Sequence, residues 1–191
     1  MKRTFIAIDI PVSREIKEIL QLFAHRLESE RIKWLKEDNL HLTLKFLGDT
    51  NEEKIEHIGS KLRQLATQSL QFSLTIKNAG VFKSLARPTI VWLGFEESDP
   101  LGLLKNTIEK EISALDYPEE QRKFTPHLTI GRIKSLKNKK ALQQIVQEFQ
   151  QKTILQFTVA EIIFYESILS YNGPEYIKLG SYPLKDSLVL E

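Results

Sequence analysis

HLTL at 41–44 and HLTI at 127–130 are two copies of one tetrapeptide, and they decide how the rest of the chain is read. Each sets a histidine and a threonine two residues apart in an apolar, β-prone run. Side chains at i and i+2 of a strand share a face. His41 and Thr43 therefore point one way over a core made by Leu42 and Leu44. His127 and Thr129 do the same over Leu128 and Ile130. One histidine in a strand is ordinarily a structural residue, and threonine is common in strands. Here two of the four histidines share one context, whereas His25 and His57 fall in helical patterns and read as surface residues.

The repetition continues outward from the tetrapeptides. A helical pattern and then LQFSLTI (70–76) follow the first; a helical pattern and then LQFTVAEI (155–162) follow the second. His41 and His127 are 86 residues apart, and Phe72 and Phe157 are 85 apart. An amphipathic segment also precedes each histidine, ending near Ser29 and near Leu115. A constant offset marks internal repetition. Two related lobes facing each other would set the histidines across one cleft.

The elements between follow from local signals. TFIAIDI (4–10) reads as a strand, and Ser13 caps a helix to Leu27 with Ile16, Ile19, Leu20 and Phe23 on its stripe. RIKWL (31–35) is a short strand, and the first histidine strand covers 40–47. Thr50 and Glu53 fit a capping box for the next helix. Strands are expected at 71–77 and 89–95, and Ser98 with Pro100 starts a helix to Leu115. Pro126 restricts the second histidine strand to beginning there or lying at an edge. A helix through Leu142, Ile145, Val146 and Phe149 precedes strands at 154–159, 161–168 and 175–182. The fold class is α+β: a bilobal, pseudo-twofold arrangement of two mainly antiparallel sheets facing a central cleft, helices outside, in one domain over 1–191.

An apolar share of 41% with 27% charged residues is ordinary for a globular protein. A net charge of +2 and a pI near 8.7 do not by themselves indicate nucleic acid. The absence of cysteine removes disulfides, thiolate nucleophiles and cysteine-ligated zinc. The apolar run of MKRTFIAIDIP is too short for a signal peptide or a membrane span, so a cytoplasmic, monomeric protein is expected.

Three chemistries could use such a pair. HxT lacks zinc-motif spacing, and no Asp or Glu sits beside either histidine on its own strand, so no metal is expected. No GxSxG elbow supports a serine nucleophile. Metal-free acid–base catalysis at phosphorus uses every residue of both copies. One imidazole takes a proton while the other gives one, and the threonine hydroxyls bind the phosphoryl oxygens. Arg132 is the candidate phosphate cation, although strict alternation turns it away from His127 unless a bulge near Gly131 redirects it. Lys45 shares the face of His41 and Thr43 by alternation and is a candidate substrate contact. Arg122 and Phe124 are further candidates for substrate contact, with Lys83 and Arg87 weaker. Trp34 and Trp92 read as core, and the basic run KSLKNKK (134–140) as a solvated helix start.

FIAIDIP (5–11), WLKEDNLHLTLKFLGD (34–49), RPTIVWLG (87–94), FTPHLTIGR (124–132) and SILSYNGPEY (167–176) together resemble the two-histidine phosphoesterases. Within these the chain is most similar to the RNA 2′,3′-cyclic phosphodiesterases, also called 2′-5′ RNA ligases. The resemblance implies that His41 is the general acid and His127 the general base, with Thr43, Thr129 and Arg132 on the phosphate. It further implies a substrate RNA ending in a 2′,3′-cyclic phosphate, tRNA fragments among the candidates, and a 2′-phosphate product, which makes Lys45, Arg122 and Phe124 candidate contacts to the RNA backbone and a stacked base. It implies a reverse ligation and no cofactor. A non-catalytic RNA-end-binding module and a phosphodiesterase of small cyclic nucleotides are the alternatives.

Overall fold

The computed structural model describes residues 1–170 and 173–186. Tyr171 and Asn172 of the SILSYNGPEY segment, and the last residues of the 1–191 domain, lie outside them. The strands are β1 (Lys2–Asp9), β2 (Arg31–Trp34), β3 (His41–Thr50), β4 (Phe72–Val81), β5 (Ile90–Phe95), β6 (His127–Ser135), β7 (Thr153–Val159), β8 (Glu161–Ser170) and β9 (Gly173–Pro183). The helices are α1 (Arg14–Arg26), α2 (Glu52–Ala66), α3 (Asp99–Ser113) and α4 (Lys139–Glu148), with a short 3₁₀ turn at Glu37–Asn39.

Among the described residues the strands form one antiparallel sheet in the order β7-β4-β5-β6-β3-β1-β8-β9, with β2 also paired to β6. The two expected sheets are thus joined, and the join is a single pair, Leu42 with Leu128, between β3 and β6. These leucines hold equivalent places in the repeat, so the pseudo-twofold axis passes between them. On one side lie β3, β1, β8 and β9; on the other lie β6, β5, β4 and β7.

The helices interlock the halves. α1 follows β1 in sequence yet packs on β7 and α4 of the other half, while α3 follows β5 yet packs on β3 and α2. One apolar cluster runs through both halves, from Ile6, Phe23 and Leu42 to Leu128, Ile145 and Phe149. α1 forms as its sequence requires: the Ser13 hydroxyl accepts from the Ile16 N–H, and Ile16, Ile19 and Phe23 are buried at helical spacing. Ser98 caps α3 in the same way, through the Leu101 N–H.

α2 departs from expectation. Asn51, not Thr50, is its N-cap, accepting from the Lys54 N–H. Thr50 ends β3 instead, buried, with its hydroxyl bonded to those of Thr4 and Tyr117. A buried hydroxyl needs partners, and the Thr4 and Tyr117 hydroxyls supply them better than a solvent-facing cap would.

Candidate active site

The register of the one joining pair builds the site. With Leu42 antiparallel to Leu128, His41 falls opposite Thr129 and Thr43 opposite His127, all four on the face away from the helices. Leu42 and Leu128 are both fully buried beneath them. The four polar side chains line one cleft of ≈ 580 Å³, within the usual size of a small-ligand pocket.

Both imidazoles are held alike. His41 Nδ1 lies 2.8 Å from the Asn39 carbonyl and His127 Nδ1 lies 2.8 Å from the Thr125 carbonyl, each two residues upstream. A carbonyl only accepts, so both Nδ1 atoms carry a proton and donate, and both Nε2 atoms are free for proton transfer. Around this common frame the packing differs. The His41 ring sits 4.9 Å from Phe5 and meets Tyr176 edge-on at 5.0 Å. The His127 ring meets Phe82 edge-on at 4.5 Å.

Burial holds the His41 imidazole below the ordinary histidine pKa; the Asn39 carbonyl and the Asp9 carboxylate oppose this, and His127 and Arg132 reinforce it. Asp9 pairs with His41 across β1 and β3, and accepts from Tyr165 while ion-paired to Lys178 at 2.7 Å. Burial also lowers His127, opposed by the Thr125 carbonyl and reinforced by Arg132, with no carboxylate beside it.

Arg132 reaches the cleft because β6 carries a bulge. Gly131 pairs with Val91 and Thr129 with Trp92, which leaves Ile130 as an extra residue. Ile130 and Gly131 both face the core, and Arg132 turns to the cleft. A side chain at 131 would collide with Trp34, whose ring lies 2.7 Å from where a Cβ would be. Among the described residues Arg132 has no ion-pair or hydrogen-bond partner.

β3 has the same bulge at the equivalent place. Lys45 pairs with Ile6 and Thr43 with Ala7, leaving Leu44 extra. This overturns the expected role of Lys45, which strict alternation sets on the histidine face. The bulge sends it into the core, 5% exposed, where its ammonium binds Glu109 and, at 2.9 Å, the Pro118 carbonyl. Lys105 binds the other Glu109 oxygen. Burial raises the Glu109 carboxyl, but the two lysines outweigh it and hold it below the usual range. Phe46 takes the cleft position instead, 70% exposed.

Arg122 and Phe124 do not line the cleft. Arg122 is forked onto Glu120, and Phe124 lies beneath the ammonium of Lys105 from α3. Lys83 and Arg87 are exposed in the turn between β4 and β5, outside the cleft, and His25 and His57 are exposed on α1 and α2. Trp34 packs on the core and Trp92 covers Gly80, so neither tryptophan is free for a base. The residues that sequence reasoning missed are Phe5, Phe46, Phe82, Tyr176 and Asp9. Phe46 alone had a usable signal, because it precedes Arg132 by the same 86 residues that separate the histidines.

Among the described residues no three His, Cys, Asp or Glu side chains converge, and no helix is long and apolar enough to cross a membrane.

Known proteins are similar to this chain in sequence and in fold. An RNA 2′,3′-cyclic phosphodiesterase of Thermotoga maritima is 35% identical over 189 residues, spanning 98% of each protein. One of Methanocaldococcus jannaschii is 34% identical over 174 residues, spanning 91% of this chain and 96% of its own. The crystal structure of E. coli LigT complexed with 3′-AMP matches with a TM-score of 0.73 at 25% identity, covering 96% of this chain and 98% of that one. The family model of the 2′-5′ RNA ligase superfamily matches residues 11–168, and the chain belongs to that superfamily.

Proposed function

We propose that this protein is an RNA 2′,3′-cyclic phosphodiesterase that opens a terminal cyclic phosphate to a 2′-phosphate by acid–base catalysis between His41 and His127. The observation that carries the reading is the tetrad at the Leu42–Leu128 join: two imidazoles in the same tautomer, each opposite a threonine, in one cleft. In-line displacement needs a base on one side of phosphorus and an acid on the other, and this arrangement suits that need. Relatives named for this activity, identical at about a third of positions over nearly the whole chain, support the substrate class.

In this mechanism the cyclic phosphate lies between the imidazoles, its non-bridging oxygens on the Thr43 and Thr129 hydroxyls and the Arg132 guanidinium. Water attacks phosphorus, and His127 Nε2 takes its proton. The P–O3′ bond breaks, and protonated His41 gives its Nε2 proton to O3′. The products are a 2′-phosphate and a free 3′-hydroxyl. His127 ends protonated and His41 neutral, and exchange with solvent restores the start. With a 5′-hydroxyl attacking the cyclic phosphate in place of water, the same groups in the same roles would support 2′-5′ ligation.

Two differences between the histidines support the division of roles. Asp9 favours the proton on His41 and nothing comparable acts on His127. Phe46 offers the nucleoside an exposed ring at the mouth of the cleft. The test is the product end. An oligoribonucleotide with a 2′,3′-cyclic phosphate should yield only a 2′-phosphate, with the rate unchanged by chelators. A 3′-phosphate product would invert the assignment of the leaving oxygen, and no turnover beside tight binding would favour an RNA-end-binding module.

A further inference from the structure

The wall of the cleft beyond Arg132 carries a concentration of charge that the chemistry at the cyclic phosphate does not use. β2 runs antiparallel to β6 with Lys33 directly opposite Arg132, and Lys134 lies two residues further along the same face of β6. All three are exposed and line the cleft, and Arg3 joins them from β1. Among the described residues none of the four has a carboxylate partner, and no Asp or Glu lines this cleft. Like charges directly opposite on neighbouring strands destabilise a sheet. Elsewhere in this protein basic side chains on neighbouring elements reach carboxylates, as Lys61 does Glu111 and Arg26 does Glu148. Unpaired like charges held together on a cleft wall point to an absent polyanion.

The register says where that anion runs. His41 lies opposite Thr129, so continuing along β6 to Arg132 and Lys134 leads past the His41 end of the tetrad. On the function proposed above, on which this inference rests, the leaving O3′ and its ribose are at that end. The next phosphate, on the 5′ side of the same ribose, then falls beyond Arg132. Residues two apart on a strand are separated by about 6.6–6.8 Å, which is comparable with the separation of successive phosphates in a nucleic-acid strand.

We propose that Lys33 and Lys134 form a second phosphate subsite that takes the phosphodiester one nucleotide upstream of the cyclic phosphate. The preferred substrate is therefore the end of an RNA chain rather than a cyclic mononucleotide. Lys33 is also placed for this by the start of β9, because its Nζ lies 3.0 Å from where a side chain on Gly173 would begin. Gly173 has a φ of +123°, which disfavours any larger residue there, so the Lys33 ammonium can lie against its backbone.

The experiment compares kcat/KM for a short oligoribonucleotide with a 2′,3′-cyclic phosphate end and for a 2′,3′-cyclic mononucleotide, at several salt concentrations. The wild-type protein should favour the oligonucleotide, with an advantage that shrinks as salt rises. Lys33→Ala with Lys134→Ala should lower the oligonucleotide-to-mononucleotide ratio about tenfold or more, chiefly through KM, on the scale of a charge-assisted contact. The logarithmic salt slope for the oligonucleotide should become shallower by about 0.7, as for one phosphate of a single strand. Lys33→Arg with Lys134→Arg should keep the ratio, which separates charge from folding, and Lys110→Ala on α3 should leave it unchanged. An unchanged ratio in the double alanine variant, or an equal fall in Lys110→Ala, would overturn the subsite while leaving the phosphodiesterase reading intact. Hydrolysis of neither substrate by the wild-type protein would instead remove the reading on which the subsite rests.

Discussion

The His41 and His127 half-sites share a backbone and differ in what is hung on it. Each has histidine, leucine and threonine, then a bulge at the fourth residue, and each fixes Nδ1 on the carbonyl two residues upstream. Beyond the bulge they diverge. The first places a lysine in the core and a phenylalanine in the cleft; the second places a glycine in the core and an arginine in the cleft. The first histidine is wrapped by Phe5 and Tyr176 with a carboxylate behind it, whereas the second meets Phe82 and is more open. Duplication supplies two equivalent imidazoles, and divergence beside them can divide acid from base and nucleoside from phosphate.

If the histidines act as one unit, breaking either should cost nearly as much as breaking both. His41→Ala and His127→Ala should each lower kcat by about 10²–10⁴-fold. The double variant should lose far less than the product of those factors, as measured by single-turnover hydrolysis. Multiplicative losses would mean that the two act in separate steps.

The bulge can be probed by its buried lysine. Lys45→Ala leaves Glu109 with one of its two lysines in the core, and removing one partner of a buried ion pair costs about 3–5 kcal/mol. Urea unfolding should report that loss, while KM for substrate stays near its wild-type value at a temperature where the variant is folded. A large rise in KM without loss of stability would return Lys45 to the cleft.

A smaller effect concerns pH. Both imidazoles sit below the ordinary value of 6.5, so the bell of kcat/KM should be centred on the acid side of 6.5. The same shifts affect stability. Below pH 6.5 the unfolded chain takes up protons that the folded histidines resist, so stability should fall as pH falls through that region. Thermal unfolding between pH 5 and 7 would check the sign, and an increase in stability on acidification would contradict it.

Much of this was legible in the sequence because two periods coincide. The strand period of two set the histidines and threonines on one face, and the repeat offset implied that the faces meet. Capping serines and apolar stripes placed α1 and α3 correctly. What strict alternation could not show was the bulge on β3. It was invoked for Arg132 because that arginine had to turn, but the repeat demanded the same irregularity after Thr43, and there it moves Lys45 inward and Phe46 outward. Arg122 and Phe124 were misplaced for another reason: they lie in the irregular stretch between α3 and β6, where no period governs direction. The exchange of α1 and α3 between halves was also invisible, since each helix's own pattern says that a face is buried and not against what.

The division of labour between the histidines is tested most directly by removing the need for an acid. A substrate whose cyclic phosphate is bridged by sulfur at the 3′ position releases a thiolate, which departs without protonation. His41→Ala should turn over this substrate at close to the wild-type rate while remaining crippled on the ordinary cyclic phosphate, and His127→Ala should be slow on both. Rescue of His127→Ala in place of His41→Ala would contradict the assignment that Asp9 and the packing around His41 support.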